Sequence, residues 1–310
     1  MKVWLFHLAV LVVVGVLALT LPPYHANNLA RVLVLAVFAT GYNLAFGYTG
    51  MLSLGHALFF AAGMYAAALP ATLWGVGALP ALILGFLAGG LAALAVGLLA
   101  LRTAGVSFMI VSLMFAQAGY LTVIYFNQTT GGDQGLVLQG GARQLIGLDM
   151  AQDGPRLWVA FALYAAGLAG ALAIVRSRFG RVMLAMRENE ERSRMLGYDP
   201  FRVKLAVLAV SGLYAGVAGA AYAVLFGYAG ASFAGVQYSI LPMLYSLMGG
   251  AGTVLGPLVG AAAMFWLIDI ASGLTTAWLM LVGIVLVGLV LFAPRGLLGW
   301  IRERWMPWLP

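Results

Sequence analysis

Long apolar stretches alternate along this chain with short breaks that are polar or rich in proline or glycine. A helix needs about 20 consecutive apolar residues to cross the hydrocarbon core of a membrane. Proline and glycine end or bend helices, because proline lacks an amide donor and glycine lacks backbone restraint. The pattern predicts ten apolar segments, at residues 3–21, 29–46, 51–69, 78–101, 105–126, 157–176, 204–229, 237–249, 253–272 and 275–293.

Two of these segments allow a second interpretation. Segment 237–249 is short for a full crossing, so it either spans the membrane or is re-entrant and buried among neighbouring helices, where irregular backbone is tolerated. Segment 3–21 follows a basic start, as in a signal peptide, but no convincing small-x-small cleavage site precedes Pro22 and Pro23. We interpret it as the first membrane helix. The pattern therefore predicts an all-α polytopic membrane protein, with a single transmembrane domain over residues 1–310 and about ten transmembrane segments.

Composition excludes a soluble domain. Hydrophobic residues make up 64% of the chain and the mean hydropathy is +1.02, whereas soluble domains are about 45–50% apolar. The 41 glycines suit membrane helices, which use small residues to pack closely. The chain has no cysteine, so disulfides and thiolate chemistry are excluded. The net charge of +7 does not indicate nucleic acid binding, because the charged residues are confined to a few loops.

The basic residues predict how the chain is oriented in the membrane. With a cytoplasmic N-terminus and ten crossings, 13 of the 16 lysines and arginines lie inside, and Arg31, Arg143 and Arg156 lie outside. Cytoplasmic loops of membrane proteins carry an excess of Lys and Arg. Both termini are therefore predicted to be cytoplasmic.

This orientation leaves one long extracytoplasmic loop, at residues 127–156. Its GGDQG sequence at 131–135 suits tight turns with positive φ. The loop is interpreted either as a solvated connector or as a lid or docking surface for an extracytoplasmic partner.

Charge is concentrated in the stretch RSRFGRVMLAMRENEERSRMLGYDPFRVK at 176–204, which holds eight of the 16 basic and four of the nine acidic residues. One interpretation is a plain positive-inside loop. Such a loop needs neither acidic residues nor helix caps, and this stretch contains both. We therefore predict a capped amphipathic helix of two or three turns at the cytoplasmic face, which contacts another protein. Its signals are Asn189 as N-cap, Glu190 and Glu191 in the first turn, Arg192 and Arg194 near the end, Gly197 at C′ and the stop Asp199-Pro200.

Five stretches carry a family resemblance, in sequence order. They are GYNLAFGYTGMLSLGHALFFAAGMYAAA, TTGGDQGL, GRVMLAMRENEERSRMLGYDPFRVKLAVLAVSGLYAGVAGA, LMGGAGTVLGPLVGAAA and LVLFAPRGLLG. Together they resemble permease subunits of bacterial ABC importers for branched-chain amino acids, of the LivM type. Each glycine motif alone is a weak signal, but the five cover the chain from about residue 30 to 300.

The resemblance implies a type II-like ABC importer permease fold in the bacterial inner membrane. The implied partners are a second homologous permease subunit, two cytoplasmic ATP-binding subunits, a periplasmic substrate-binding protein and the lipid bilayer. ATP and Mg²⁺ would be bound by the ATPase subunits, so no cofactor is expected in this chain. The chain also lacks the G-x-x-x-x-G-K-[ST] phosphate loop of an ATPase.

The resemblance also implies roles for particular residues. Loop 177–203 would be the coupling loop, with helix 187–197 seated in a groove of an ATPase subunit. The residues that match the family pattern in this loop are Arg187, Glu188, Asn189, Glu190, Arg194 and Gly197. In the predicted extracytoplasmic loop 127–156, here called the outer loop, Gly131, Gly132 and Asp133 match the motif and are predicted to dock the binding protein.

Polar residues around the glycine break at 47–50 are candidates for lining the transport pathway: Asn43, Thr49, Ser53 and His56. Ionisable residues within apolar segments are often functional. For His56 the other interpretation is a neutral imidazole hydrogen-bonded to a neighbouring helix. Asp269, near the outer end of its segment, suits an interfacial cap or a partner for an outside arginine. Gly50, Gly55 and Gly63, and the glycines between 249 and 260, suit close helix packing.

The predicted function is the permease subunit of an ATP-driven importer for branched-chain or hydrophobic amino acids, which forms half of the translocation pathway. An importer for urea or short-chain amides shares these motifs and is the first alternative. An ion-driven carrier would need ion sites at mid-membrane, for which only His56 and Asp269 are candidates. An enzyme has little support, because no Ser/His/Asp set, paired carboxylates or metal-ligand cluster is present. Both a homodimer and a heterodimer of permeases fit the sequence.

Overall fold

The computed structural model describes residues 2–145, 147–292 and 295–305. Helices make up most of the described chain. They are α1 (Lys2–Thr20), α2 (Pro23–Asn43), α3 (His56–Leu73), α4 (Ala78–Ala100), α5 (Val106–Tyr125), α6 (Asn127–Thr130), α7 (Asp153–Arg176), α8 (Arg178–Glu188), α9 (Glu190–Met195), α10 (Pro200–Phe226), α11 (Val236–Gly249), α12 (Gly256–Leu274), α13 (Trp278–Phe292) and α14 (Gly296–Trp305).

Short irregular elements join the helices. A π-helical turn (Leu44–Tyr48) extends α2, and 3₁₀ turns occupy Gly140–Arg143 and Ala231–Ala234. Four strands of two residues each also occur: β1 (Leu136–Val137), β2 (Gln144–Leu145), β3 (Leu148–Asp149) and β4 (Tyr228–Ala229). β1 pairs antiparallel with β4, and β2 with β3. The described chain is helical apart from these short elements, as the all-α prediction expects, and three of the four two-residue strands lie in loop 127–156.

Eight helices of the described chain are long and apolar enough to cross a membrane: α1, α2 with its π-helical turn, α3, α4, α5, α7, α10 and α12. Two of the ten predicted segments correspond to shorter helices, since α11 has 14 residues and α13 has 15. At 1.5 Å per residue α11 is about 21 Å long, less than the hydrocarbon core of about 30 Å. The predicted bounds shift most for α2, which begins at Pro23 rather than at residue 29. α10 begins at Pro200 rather than at residue 204, because Asp199 caps it.

Glycine contacts hold α3, α4 and α10 together at the centre. A Cβ on Gly216 of α10 would lie 2.7 Å from the Cα of Gly89 in α4, and a Cβ on Gly63 of α3 would overlap the backbone of Gly216. Small residues permit such close backbone approach in membrane helices. The predicted packing role therefore holds for Gly63. It holds equally for Gly249 and Gly260, where α11 meets α12.

The connections between helices gather at two ends of the bundle. At one end, here called the basic end, Arg187 of α8 donates to the Gly47 carbonyl and Arg302 of α14 donates to the Gly252 carbonyl at 3.2 Å. At the other, here called the loop end, the outer loop packs on α10. Tyr24 Oη donates there to Asp269 Oδ1 at 3.3 Å, so the partner of Asp269 in the structure is a tyrosine rather than an arginine.

Candidate functional site

Asn189 divides the charged stretch into two helices at the basic end. Its extended backbone (φ −159°, ψ 107°) ends α8, and its side-chain Oδ1 accepts from the Arg192 amide at 2.8 Å to begin α9. The predicted single helix 187–197 is therefore corrected. Arg187 and Glu188 belong to α8, and α9 covers only Glu190–Met195.

The end of α9 is fixed by a left-handed glycine. Gly197 has φ +90°. Its amide donates to the Arg194 carbonyl at 2.9 Å, and the Tyr198 amide donates to the Ser193 carbonyl at 3.2 Å. This pair of bonds is the Schellman arrangement that satisfies the last carbonyls of a helix. The caps predicted at Asn189 and Gly197 are therefore present. Asp199, predicted only as part of a helix stop, accepts from the Phe201 amide at 3.0 Å through Oδ1 and begins α10.

Two contacts fix the corner between α8 and α9 to the membrane helices. Lys204 Nζ of α10 lies 2.5 Å from Glu190 Oε2, and the lysine side chain is 19% exposed. Arg187 extends from α8 to the Gly47 carbonyl. Glu190 and Arg187 therefore face the chain itself, and both position α9. The Arg194–Glu191 pair (3.4 Å) is exposed, and such surface pairs contribute little to stability.

The apolar tip of this corner, Met195 and Leu196, projects away from the chain. Met195 is 81% exposed and Leu196 is 70% exposed, whereas Ser193 in the same helix is buried and donates to the Asn189 carbonyl at 3.0 Å. Large apolar side chains at the end of a rigid, capped helix form a suitable contact for another protein, because their burial is favourable and costs little ordering.

Behind this corner, Asn43 joins two segments that are distant in sequence. Its Nδ2 donates to the Thr253 carbonyl at 2.8 Å, and its Oδ1 accepts from the Gly252 amide at 3.0 Å. Since Arg187 binds Gly47 within the π-helical turn, α8 is connected through that turn to the break between α11 and α12. A displacement of α8 would therefore act on the π-helical turn and on the break between α11 and α12.

A cavity of about 500 Å³ opens beside the corner. Its walls are the residues that follow the π-helical turn, the connection from α4 to α5, and the junction of α8 with α9. Both charges of the Glu190–Lys204 pair line it. The structure thus has a recess between membrane helices and the α8–α9 corner.

The four predicted pathway residues are all buried. Asn43 is bound as described, Thr49 Oγ1 donates to the Leu44 carbonyl at 3.1 Å, and Ser53 Oγ accepts from the Gly55 amide at 3.1 Å. His56 Nε2 lies 2.7 Å from Ser211 Oγ of α10. The hydrogen-bonded interpretation of His56 therefore matches the geometry. These groups join parts of the chain, and a pathway role for them stays a prediction.

The outer loop turns sharply at the predicted docking residues. Gly131 and Gly132 have φ +74° and +51°, and Asp133 between the turns is exposed. A Cβ on Gly131 would overlap the carbonyl of Gly135, so this close turn requires glycine. Asp133 is exposed at the loop end, and docking of a binding protein at these residues stays a prediction.

Two arginines that the sequence interpretation did not single out for a role hold this loop in place. Arg143 donates to the carbonyls of Leu225 (2.6 Å) and Val224 (3.2 Å) at the end of α10, where a cation suits the helix dipole. Arg156 donates to Asn27 Oδ1 at 2.8 Å and pairs with Asp153 at 3.1 Å. Burial, and then the charge of Arg156, lower the pKa of Arg143 from its usual value. The available sequence signal was that these are two of only three basic residues predicted to lie outside.

The fold is that of a multi-pass membrane protein with a folded surface at each end. Residues 24–293 match the family described as branched-chain amino acid transport system / permease component. The chain belongs to this family, which places it among the permease subunits of ABC transporters.

Two similar proteins are named LivM, high-affinity branched-chain amino acid transport system permease protein, from Salmonella typhimurium LT2 and Escherichia coli K12. Each is 25% identical over 295 residues, which covers 88% of this chain and 69% of the relative. The autoinducer 2 import system permease protein LsrC of Photorhabdus luminescens is 31% identical over 140 residues, 41% of each chain. No solved structure matches the chain.

Proposed function

We propose that this chain is the permease subunit of an ATP-driven importer for branched-chain or hydrophobic amino acids, that it forms half of the translocation pathway, and that α9 couples it to a cytoplasmic ATPase. The observation that carries the coupling role is the apolar tip. Met195 and Leu196 are exposed on a short helix that is capped at both ends and fixed by Glu190 and Arg187 to membrane helices. A rigid contact of this kind transmits a displacement as a body.

The family match and the LivM relatives support an amino acid as the substrate. The LsrC relative concerns a different transported molecule and covers a smaller part of the chain. Branched-chain amino acids are therefore our first candidate, and urea or short-chain amides are the second. The implied partners are a second permease, two ATPase subunits and a binding protein in the bacterial inner membrane, with ATP and Mg²⁺ held by the ATPases.

The test is uptake of labelled leucine into proteoliposomes that contain this chain with its partner permease, its ATPases and its binding protein. ATP should drive uptake, and excess valine should compete where urea does not. The double variant Met195→Asp/Leu196→Asp should reduce uptake at least about tenfold and release the ATPase on purification, because carboxylates would be buried in an apolar contact. Met195→Leu, which keeps an apolar side chain, is the matched control.

Uptake that continues without ATP would refute the importer and favour an ion-driven carrier. If urea competes and valine does not, the result would favour the importer for urea or short-chain amides. Full uptake and ATPase retention in the double variant would refute the coupling role of α9.

A further inference from the structure

α11 is a half-length helix whose first turn lies near the middle of the membrane. Ser239 Oγ, in that turn, accepts from the Ala57 amide at 3.0 Å, and the adjacent His56 contacts Ser211 of α10. Ser211 lies about 17 Å along α10, whose 27 residues span about 40 Å. The chain therefore returns from the loop end to mid-depth as irregular backbone between Phe226 and Val236.

Gln117 of α5 lies at the same depth. Ser112, one and a half turns before it, accepts from the Leu54 amide at 3.0 Å, and a Cβ on Gly119 would touch the Leu58 side chain. Gln117 is thus level with the first turns of α3. Gln237, at the start of α11, precedes Ser239 by half a turn and shares this level.

Both glutamines are exposed, and in the described part of the chain neither amide has a hydrogen-bond partner. An amide without a partner costs several kcal/mol in hydrocarbon by the general range of about 2–7 kcal/mol. Ser232, in the irregular backbone before α11, is also exposed. Irregular backbone is tolerated at membrane depth only where it is buried in protein or lines a water-filled cavity. The three positions are therefore incompatible with a lipid-facing surface.

We propose that Gln117, Ser232 and Gln237 border a water-filled path that carries a polar, zwitterionic solute; this rests on the permease function proposed above. We call these residues the glutamine face. A primary amide offers both donors and an acceptor, so it can bind a carboxylate and an ammonium group in turn. It holds no fixed charge, which suits a solute that must leave as readily as it binds.

The chain has no cysteine, so each position can be replaced by a single one. Gln117→Cys, Gln237→Cys and Ser232→Cys are treated, in membrane vesicles holding the complete transporter, with a charged thiol-specific reagent. Val12→Cys is the control, because Val12 is 57% exposed on α1, whose membrane span is only 6% buried. The thiolate is the reactive form, so a cysteine in lipid reacts slowly. We expect labelling of this chain, read by its mass, to be at least about tenfold faster at the glutamine face.

Labelling as slow as that of Val12→Cys would overturn the proposal, whether lipid or another chain covers the face. Ser232→Cys changes one atom and carries the test if the glutamine variants do not assemble. The labelling rate does not depend on which solute is transported. Rapid labelling without leucine uptake would support the path and refute the amino acid importer, whereas leucine uptake with slow labelling would refute the glutamine face alone.

Discussion

Single buried amides connect distant parts of this chain. Asn43 satisfies both the Gly252 amide and the Thr253 carbonyl, and it lies where α2 passes into the π-helical turn. Polar groups that lose a partner inside a protein keep their full desolvation penalty, because no water replaces the lost bond. At the residue scale, the junction at the basic end therefore depends on Asn43, together with the arginines that bind Gly47 and Gly252.

Asn43→Ala should destabilise the folded protein by about 2 kcal/mol or more, since each of two buried groups left unpaired costs about 1–3 kcal/mol. The measurement is the thermal midpoint of the purified protein in detergent, followed by size-exclusion chromatography. Thr122→Ala is the matched control. Thr122 is also polar, but it binds only the Ala118 carbonyl of its own helix at 2.8 Å. An equal midpoint for the two variants would contradict this role of Asn43.

Residue-level prediction from the sequence succeeded where the cause is local. The predicted caps at Asn189 and Gly197 depend on neighbours within five residues, and the structure contains both. Partners distant in sequence could not be derived in this way. Ser211, which contacts His56, lies 155 positions away, and hydrophobic periodicity carries no information about which helices become neighbours.

At the scale of whole elements, glycine determines how closely α3, α4 and α10 approach. Gly216 faces Gly85 and Gly89 across the α4–α10 contact. Without a hydrophobic driving force between helices in lipid, such contacts rely on close packing. Removing the close approach should therefore separate the central helices.

Gly216→Ala should destabilise the protein by about 1–3 kcal/mol through overpacking, because the added Cβ would lie within 2.9 Å of the Gly89 amide. Gly283→Ala in α13 is the control, since a Cβ there meets nothing within 4 Å. The fraction of folded protein after heating in detergent compares the two. If both variants melt together, glycine packing is not what holds the α4–α10 contact.

Hydropathy predicted where the long helices lie. How the polar stretches fold was harder to predict. The long apolar runs predicted the eight spanning helices. Asn189 was predicted as an N-cap, but the separate helix before it, Arg178–Glu188, was not predicted, because both sides of Asn189 are good helix formers. The strands of the outer loop were missed as well, since two-residue strands carry no periodic signal.

At the scale of the whole molecule, charge differs between the two ends of the bundle. Arg102, the stretch 176–204 and the arginines of α14 all belong to the basic end, whereas Arg143 and Arg156 hold the outer loop at the loop end. Successive spanning helices reverse direction from α1 to α10. The half-length α11 then returns the chain to the basic end, so α10 and α12 both run from the basic end to the loop end. The charge bias then predicts which end is cytoplasmic.

The orientation can be read from two single cysteines at opposite ends. Asp133→Cys in the outer loop should react with a membrane-impermeant thiol reagent in intact spheroplasts, because positive charge keeps the other end inside. Met195→Cys, in the exposed tip of the α8–α9 corner, should react only after the membrane is permeabilised, in cells that express this chain without the ATPase subunits proposed to cover the tip. Both side chains are exposed, so accessibility within the fold does not bias the comparison. Labelling of Met195→Cys in intact spheroplasts would contradict the predicted orientation. It would also separate α9 from any cytoplasmic ATPase, so the coupling role depends on this outcome.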